Sequence, residues 1–74
     1  MQFKKIETTI RERKYIIDED YPNIGAYLYV YENGKCIYDY LQNDIEACKE
    51  FALENFNVPM NSWKDYKIQD NGKI

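Results

Sequence analysis

Residues 27–40 read Tyr27-Leu28-Tyr29-Val30-Tyr31-Glu32-Asn33-Gly34-Lys35-Cys36-Ile37-Tyr38-Asp39-Tyr40, two β-prone runs flanking an Asn-Gly pair. Asn-Gly is the preferred loop of a two-residue type I′ turn, because both residues tolerate the positive φ that this turn needs. A hairpin closed there sets Glu32 opposite Lys35, an opposite-charge pair that supports the register. Regular pairing then places Tyr31 opposite Cys36, Val30 opposite Ile37, Tyr29 opposite Tyr38, Leu28 opposite Asp39 and Tyr27 opposite Tyr40. The pleat sorts these residues into two faces. One carries Leu28, Val30 and Ile37. The other carries Tyr27, Tyr29, Tyr31, Tyr38 and Tyr40, with Cys36 among them.

The segment after the hairpin is helical. Asn43 can cap it, with Glu46 three residues on as capping-box partner, and Asp44 and Glu46 suit the positive end of the helix. Ile45, Cys48, Ala52 and Phe56 form one apolar stripe with Phe51 at its edge, while Glu46, Glu50 and Glu54 line the opposite side. Pro59 pushes Val58 out of helical geometry, which ends the helix around Asn55–Asn57. Ser62 to Ile68, with Trp63 and Tyr66, reads as a last strand, and residues 69–74 as a fraying tail.

Before the hairpin, Phe3 to Arg11 alternates, with Ile6, Thr8 and Ile10 on one side. That is the period of a half-buried strand. Arg11 to Lys14 turns the chain. Tyr15 to Ile17 reads equally as a short strand or as an irregular segment, and Asp18 to Gly25 is an acidic loop rich in chain breakers. The predicted fold is therefore α+β: a small antiparallel sheet of three to four strands, packed on one face by a single amphipathic helix. The element order is β, an optional β, the β-hairpin, α, β.

With 74 residues there is room for one core and one domain. A chain of this size gains stability from disulfides, a metal, large side chains or self-association. Histidine is absent, and the only cysteines, Cys36 and Cys48, are far apart. With no apolar leader run after Met1–Lys5 and no stretch of about 20 apolar residues, the expectation is a cytoplasmic protein with two free thiols. No membrane contact is expected.

Net charge is −3, unevenly spread. Lys4, Lys5, Arg11, Arg13 and Lys14 against Glu7 and Glu12 leave residues 1–17 at +3, and five basic against eleven acidic groups leave the rest at −6. An acidic body disfavours non-specific nucleic-acid binding. The tyrosines have the chemistry to stack on single-stranded bases, but Lys35 is the only cation on the hairpin. The basic start is a solvated strand and turn, or a contact for a phosphate or an acidic partner.

Catalytic chemistry finds little support in these residues. Without histidine there is no Cys-His or Ser-His pair, and Ser62 has no visible helper. Asp18-Glu19-Asp20-Tyr21-Pro22 does not match a calcium loop, and Gly25, Gly34 and Gly72 are isolated rather than gathered in a phosphate loop. Asp39 is the one carboxylate on a predicted inward face, where it must reach water or a partner, since an unpaired buried carboxylate is costly. The expectation is a non-enzymatic protein with no cofactor and no metal. The competing readings are a small carboxylate-dependent enzyme or accessory subunit, and a weak single-stranded nucleic-acid binder.

Over residues 29–63 the chain resembles a class of small, largely uncharacterised bacterial proteins with a hairpin, a helix ending E-x-F/Y-G-V-P, and a short S-W strand. Here Glu54-Asn55-Phe56-Asn57-Val58-Pro59 and Ser62-Trp63 carry the likeness, with Asn57 where glycine is usual. Asn57 can adopt the left-handed conformation glycine would supply. Some proteins of this build are similar to immunity proteins, which neutralise a toxin by binding it. The resemblance thus implies non-enzymatic protein binding. The residues themselves point to the same class, because one helix covers one sheet face and leaves the tyrosine face for a homodimer contact, another protein partner, or an internal covering by residues 11–22.

Overall fold

Four strands follow one another by successive chain reversals: β1 (Lys5–Ile10), β2 (Arg13–Glu19), β3 (Ala26–Glu32) and β4 (Lys35–Gln42). The helix α1 (Ile45–Phe56) comes next, then the short strand β5 (Lys64–Asp65). This computed structural model describes residues 3–67. The strands form one antiparallel sheet in the order β4-β3-β2-β1-β5, with α1 packed across β2, β3 and β4 on a single face. The expected α+β architecture is the observed one. Ile68, the last residue of the expected final strand, and the expected tail at 69–74 lie outside the described residues.

Local chemistry explains the reversals. Asn33 and Gly34 have φ of 54° and 78°, as a type I′ turn requires. Between β1 and β2 the chain reverses over Arg11 and Glu12, and Arg11 takes a φ of 58° that carries a steric penalty for a residue with a long side chain. Before β3, Gly25 has a φ of 121°, and a Cβ there would collide with the Gln42 carbonyl oxygen. The helix is capped by Asp44, not by the expected Asn43: its carboxylate accepts a hydrogen bond from the Ala47 amide at 2.8 Å. At the other end Asn57 does take the left-handed conformation, φ 60°. Its amide donates to the Leu53 carbonyl at 3.0 Å, and the Val58 amide donates to the Ala52 carbonyl at 3.2 Å.

Tyr15–Ile17, readable from sequence either as a strand or as irregular, lies inside β2, the middle strand of the sheet. Asp18 and Glu19, expected in the acidic loop, extend that strand. The core gathers Ile6 from β1, Tyr15 and Ile17 from β2, and Ala26, Leu28 and Val30 from β3, under Cys48 and Ala52 of α1 and Val58 beyond it. Ile10, Ile45, Phe56 and Trp63 were expected there too and pack against it while partly exposed, as do Tyr40 and Phe51.

Ile37 does not join them. The β3–β4 register holds as expected for Glu32–Lys35 and Tyr31–Cys36, then shifts by one residue between Val30 and Tyr31. Cys36 and Ile37 together oppose Tyr31, so Val30 pairs with Tyr38, Leu28 with Tyr40 and Tyr29 with Asp39. A β-bulge of this kind turns every later side chain of its strand to the opposite face. Ile37 leaves the helix side and is 39% exposed, while Tyr38 and Tyr40 turn toward α1.

These placements separate two isoleucines of the same type. Ile17 is fully buried in the middle strand, so Ile17→Ala should destabilise the protein by about 2–5 kcal/mol in urea unfolding. Ile37→Ala should stay within about 0.5 kcal/mol. A reversed order would contradict the bulged register.

Candidate functional site

The helix lies on one face of the sheet, and the other face has no element across it among the described residues. Strand pairing arranges its side chains in three rows. One runs Leu41, Tyr27, Asp18, Lys5. The middle row runs Asp39, Tyr29, Ile16, Glu7, Lys64, with Lys64 supplied by β5. The third runs Tyr31, Lys14, Thr9, with Cys36 and Ile37 of the bulge at its β4 end. At the centre Ile16 is only 8% exposed although no helix covers it, so its neighbours on this face shield it. Leu41, at the outer end, is 53% exposed.

Of the five tyrosines expected to share this face, the structure brings together Tyr27, Tyr29 and Tyr31. The Tyr27 and Tyr29 rings stack with centroids 6.0 Å apart. Tyr38 and Tyr40 are on the helix side instead. The Tyr40 ring lies 4.5 Å from Phe51, and Tyr38 lies 5.8 Å from Phe56. Both distances are ordinary for packed aromatic pairs. The expectation of a five-ring face is corrected by the bulge, which exchanges Tyr38 and Tyr40 for Ile37, Asp39 and Leu41. Asp39, expected inward, is exposed on the open face opposite Tyr29. Burial and the nearby Asp18 and Asp39 carboxylates raise the Tyr29 hydroxyl above its usual pKa.

The β1–β5 side of the face has the opposite character. Lys5 Nζ sits 4.4 Å from the centroid of the Tyr66 ring, and Lys14 Nζ sits 5.6 Å from it. Both are within the range of cation–π attraction. Tyr66 is held there by its backbone amide, which donates to the Lys5 carbonyl at 2.9 Å. Glu7 lies beneath these cations, its side chain 11% exposed, with Oε1 at 3.2 Å from Lys14 Nζ and Oε2 accepting from the Lys67 amide at 3.3 Å. Desolvation pushes its carboxyl up, but the Lys67 amide with Lys14 and Lys64 outweighs that and holds it below the usual carboxylate value. Lys5, Thr9, Arg11, Lys14, Ile16, Tyr31 and Tyr66 help to line a shallow concavity of about 530 Å³.

Sequence reasoning found cations and tyrosines but not their proximity. Lys35 was the only cation it placed beside the rings, whereas Lys14 is the direct cross-strand neighbour of Tyr31. Neither cysteine forms a disulfide. Cys36 is exposed at the bulge, its thiol directed to the Tyr38 carbonyl at 3.4 Å. Cys48 is buried against the Ala26 carbonyl, and burial pushes its thiol up to about 11. Among the described residues no three His, Cys, Asp or Glu side chains stand close enough to share a metal ion, and no helix is long and apolar enough to cross a membrane. No family model, curated protein or solved structure matches the chain.

The Glu7 arrangement makes the open face sensitive to pH. Because the folded state lowers this carboxyl's pKa, its ionisation contributes stability that is fully present above the unfolded value and is lost as pH falls through the folded one. Glu7→Gln should therefore lower the melting temperature at pH 7, and the gap to wild type should narrow as pH falls below the unfolded carboxyl value of about 4.3. A gap that stays constant down to pH 3 would contradict the pairing with Lys14, Lys64 and the Lys67 amide.

Proposed function

We propose that the chain is a non-catalytic, cytoplasmic protein-binding module, immunity- or inhibitor-like, that docks through the open face of its sheet. A second copy of the chain is the first partner this reading calls for. The observation that carries it is the line of Tyr27, Tyr29 and Tyr31 along β3, beside Ile37 and Leu41 of β4, which α1 leaves uncovered. Tyrosine suits such a surface. It offers a large rigid contact area and a hydroxyl that tolerates water before binding and hydrogen-bonds after it. A contiguous patch of rings and aliphatic side chains rimmed by charges is the usual form of a recognition site.

The chemistry of the face supports binding rather than turnover. Its carboxylates are Glu7, held ionised beneath lysines, and Asp18 and Asp39, set on either side of Tyr29. With burial, Asp18 and Asp39 raise the pKa of the Tyr29 hydroxyl between them, the reverse of activating it as a nucleophile. The resemblance of residues 29–63 to small bacterial proteins of immunity-protein build supports the same class.

Affinity capture from a bacterial extract tests this reading when wild type is compared with two variants. Tyr29→Ser/Tyr31→Ser alters the open face, and Glu50→Arg/Glu54→Arg alters the exposed side of the helix. A specific protein retained by wild type and the helix variant, but reduced at least about tenfold with the tyrosine variant, is the expected result. Equal retention by all three, or loss only with the helix variant, would contradict it.

A further inference from the structure

Beside its line of tyrosines the open face carries a shallow trough of about 530 Å³. It follows β1 from the Arg11-Glu12 turn toward Tyr66, and Lys5, Arg11 and Lys14 are its cations. Lys14 is engaged with Glu7 at 3.2 Å. Lys5 stands across from Asp18 in the register, yet its ammonium is turned over the Tyr66 ring, 4.4 Å from the centroid. Among the described residues neither Lys5 nor Arg11 forms an ion pair.

Arg11 also holds a backbone conformation that its side chain does not favour. The two-residue turn between Ile10 and Arg13 has a positive φ, 58°, at Arg11 and not at Glu12, a position where glycine is usual. At its other left-handed non-glycine positions the chain uses asparagine, Asn33 and Asn57. A steric cost carried at the rim of a cavity points to a use for the guanidinium.

We infer that this trough takes a short, extended acidic segment of the partner protein, its carboxylates on Arg11 and Lys5 and its stem against Tyr31 and Tyr66. The inference rests on the protein-binding reading above and names the chemistry of what docks. Lys5 and Arg11 are six strand steps apart, about 20 Å of backbone. That is more than one free anion bridges, and carboxylates spaced along a strand can reach both cations. The guanidinium fork matches a carboxylate in two parallel hydrogen bonds. Glu12 beside Arg11 and Asp18 across from Lys5 bound the trough at its two ends. Together with the net −6 of residues 18–74, they oppose a polyanion long enough to run past them, such as a nucleic-acid strand.

Amide chemical shifts of the isotope-labelled protein, titrated at about 20 mM salt with hexaglutamate, hexaglutamine, a short oligothymidylate or inorganic phosphate, test this. Hexaglutamate should bind with a dissociation constant in the millimolar range and move the amides of Lys5, Thr9, Arg11 and Lys14 more than those of α1. Binding should fade in about 0.5 M salt. Arg11→Gly and Lys5→Gln should each weaken it about two- to fivefold, and the pair about tenfold. Arg11→Gly should also melt no lower than wild type, since glycine relieves the strained φ; a purely structural role for Arg11 would instead lower the melting temperature. Hexaglutamate that moves none of these amides at about 20 mM, or hexaglutamine that binds equally, overturns the inference. Tighter binding of the oligothymidylate overturns it in favour of nucleic acid, and equal binding of phosphate overturns it in favour of a free anion. Each of these failures leaves the capture comparison with Tyr29→Ser/Tyr31→Ser to decide the protein-binding reading separately.

Discussion

A carboxylate at position 39 decides how the hairpin can be folded against the helix. Regular pairing from the Asn33-Gly34 turn would set Asp39 opposite Leu28, under α1, where an unpaired carboxylate loses several kcal/mol of hydration. The bulge at Cys36 and Ile37 removes that conflict and releases Asp39 to water. It also takes two aliphatic side chains, Ile37 and Leu41, off the helix side and sets two aromatic ones, Tyr38 and Tyr40, there. Ile37 forgoes part of the about 1.5–3 kcal/mol that full burial contributes, while Tyr38 and Tyr40 gain contacts with Phe51 and Phe56. Since β4 is an edge strand, the bulge disturbs only one ladder.

The remaining packing follows from that choice. Phe56 at the end of the helix collects Tyr15, Tyr38, Tyr40 and Phe51 around it, and Arg13 closes the cluster from β2 with its guanidinium 5.9 Å from both Tyr38 and Phe56. The same Arg13 reaches Glu32 on β3 at 3.0 Å, tying the two strands together at the end away from their connecting loop. Beneath this aromatic layer lie Leu28, Val30 and Ile17, fully buried against Cys48 and Ala52. With the bulk of the aromatic side chains gathered on the helix side, the open face keeps Tyr27, Tyr29 and Tyr31.

The elements governed by local chemistry were legible in the sequence. The Asn33-Gly34 turn, the helix stripe through Cys48, Ala52 and Phe56, the left-handed Asn57, and the alternation of β1 all report short-range rules, and the α+β architecture follows from them. Tyr15–Ile17 was ambiguous because a middle strand is buried on both faces and loses its alternation: Ile16 is shielded on the open side as Tyr15 and Ile17 are on the other. Choosing Asp44 over Asn43 as cap moves the helix start by one position, a shift that spacing alone does not resolve. The five-ring face was half right, since Tyr27, Tyr29 and Tyr31 share it and Tyr38 and Tyr40 do not. The signal for the bulge was present as Asp39, whose predicted inward position had no compensating partner. What no local rule contained was the pairing of β2 with β3, which brings Lys14 beside Tyr31 across 17 residues of chain.

The central claim is that the hairpin's register shift divides its tyrosines between the two faces. Aromatic nuclear Overhauser contacts in the folded protein test it most directly. The Tyr40 ring should show contacts to Phe51 and Phe56, the Tyr38 ring to Phe56, and the Tyr40 Hα should lie across from Leu28. Contacts from the Tyr38 and Tyr40 rings to Tyr27 and Tyr29, with Asp39 across from Leu28, would restore the unbulged hairpin and contradict the account.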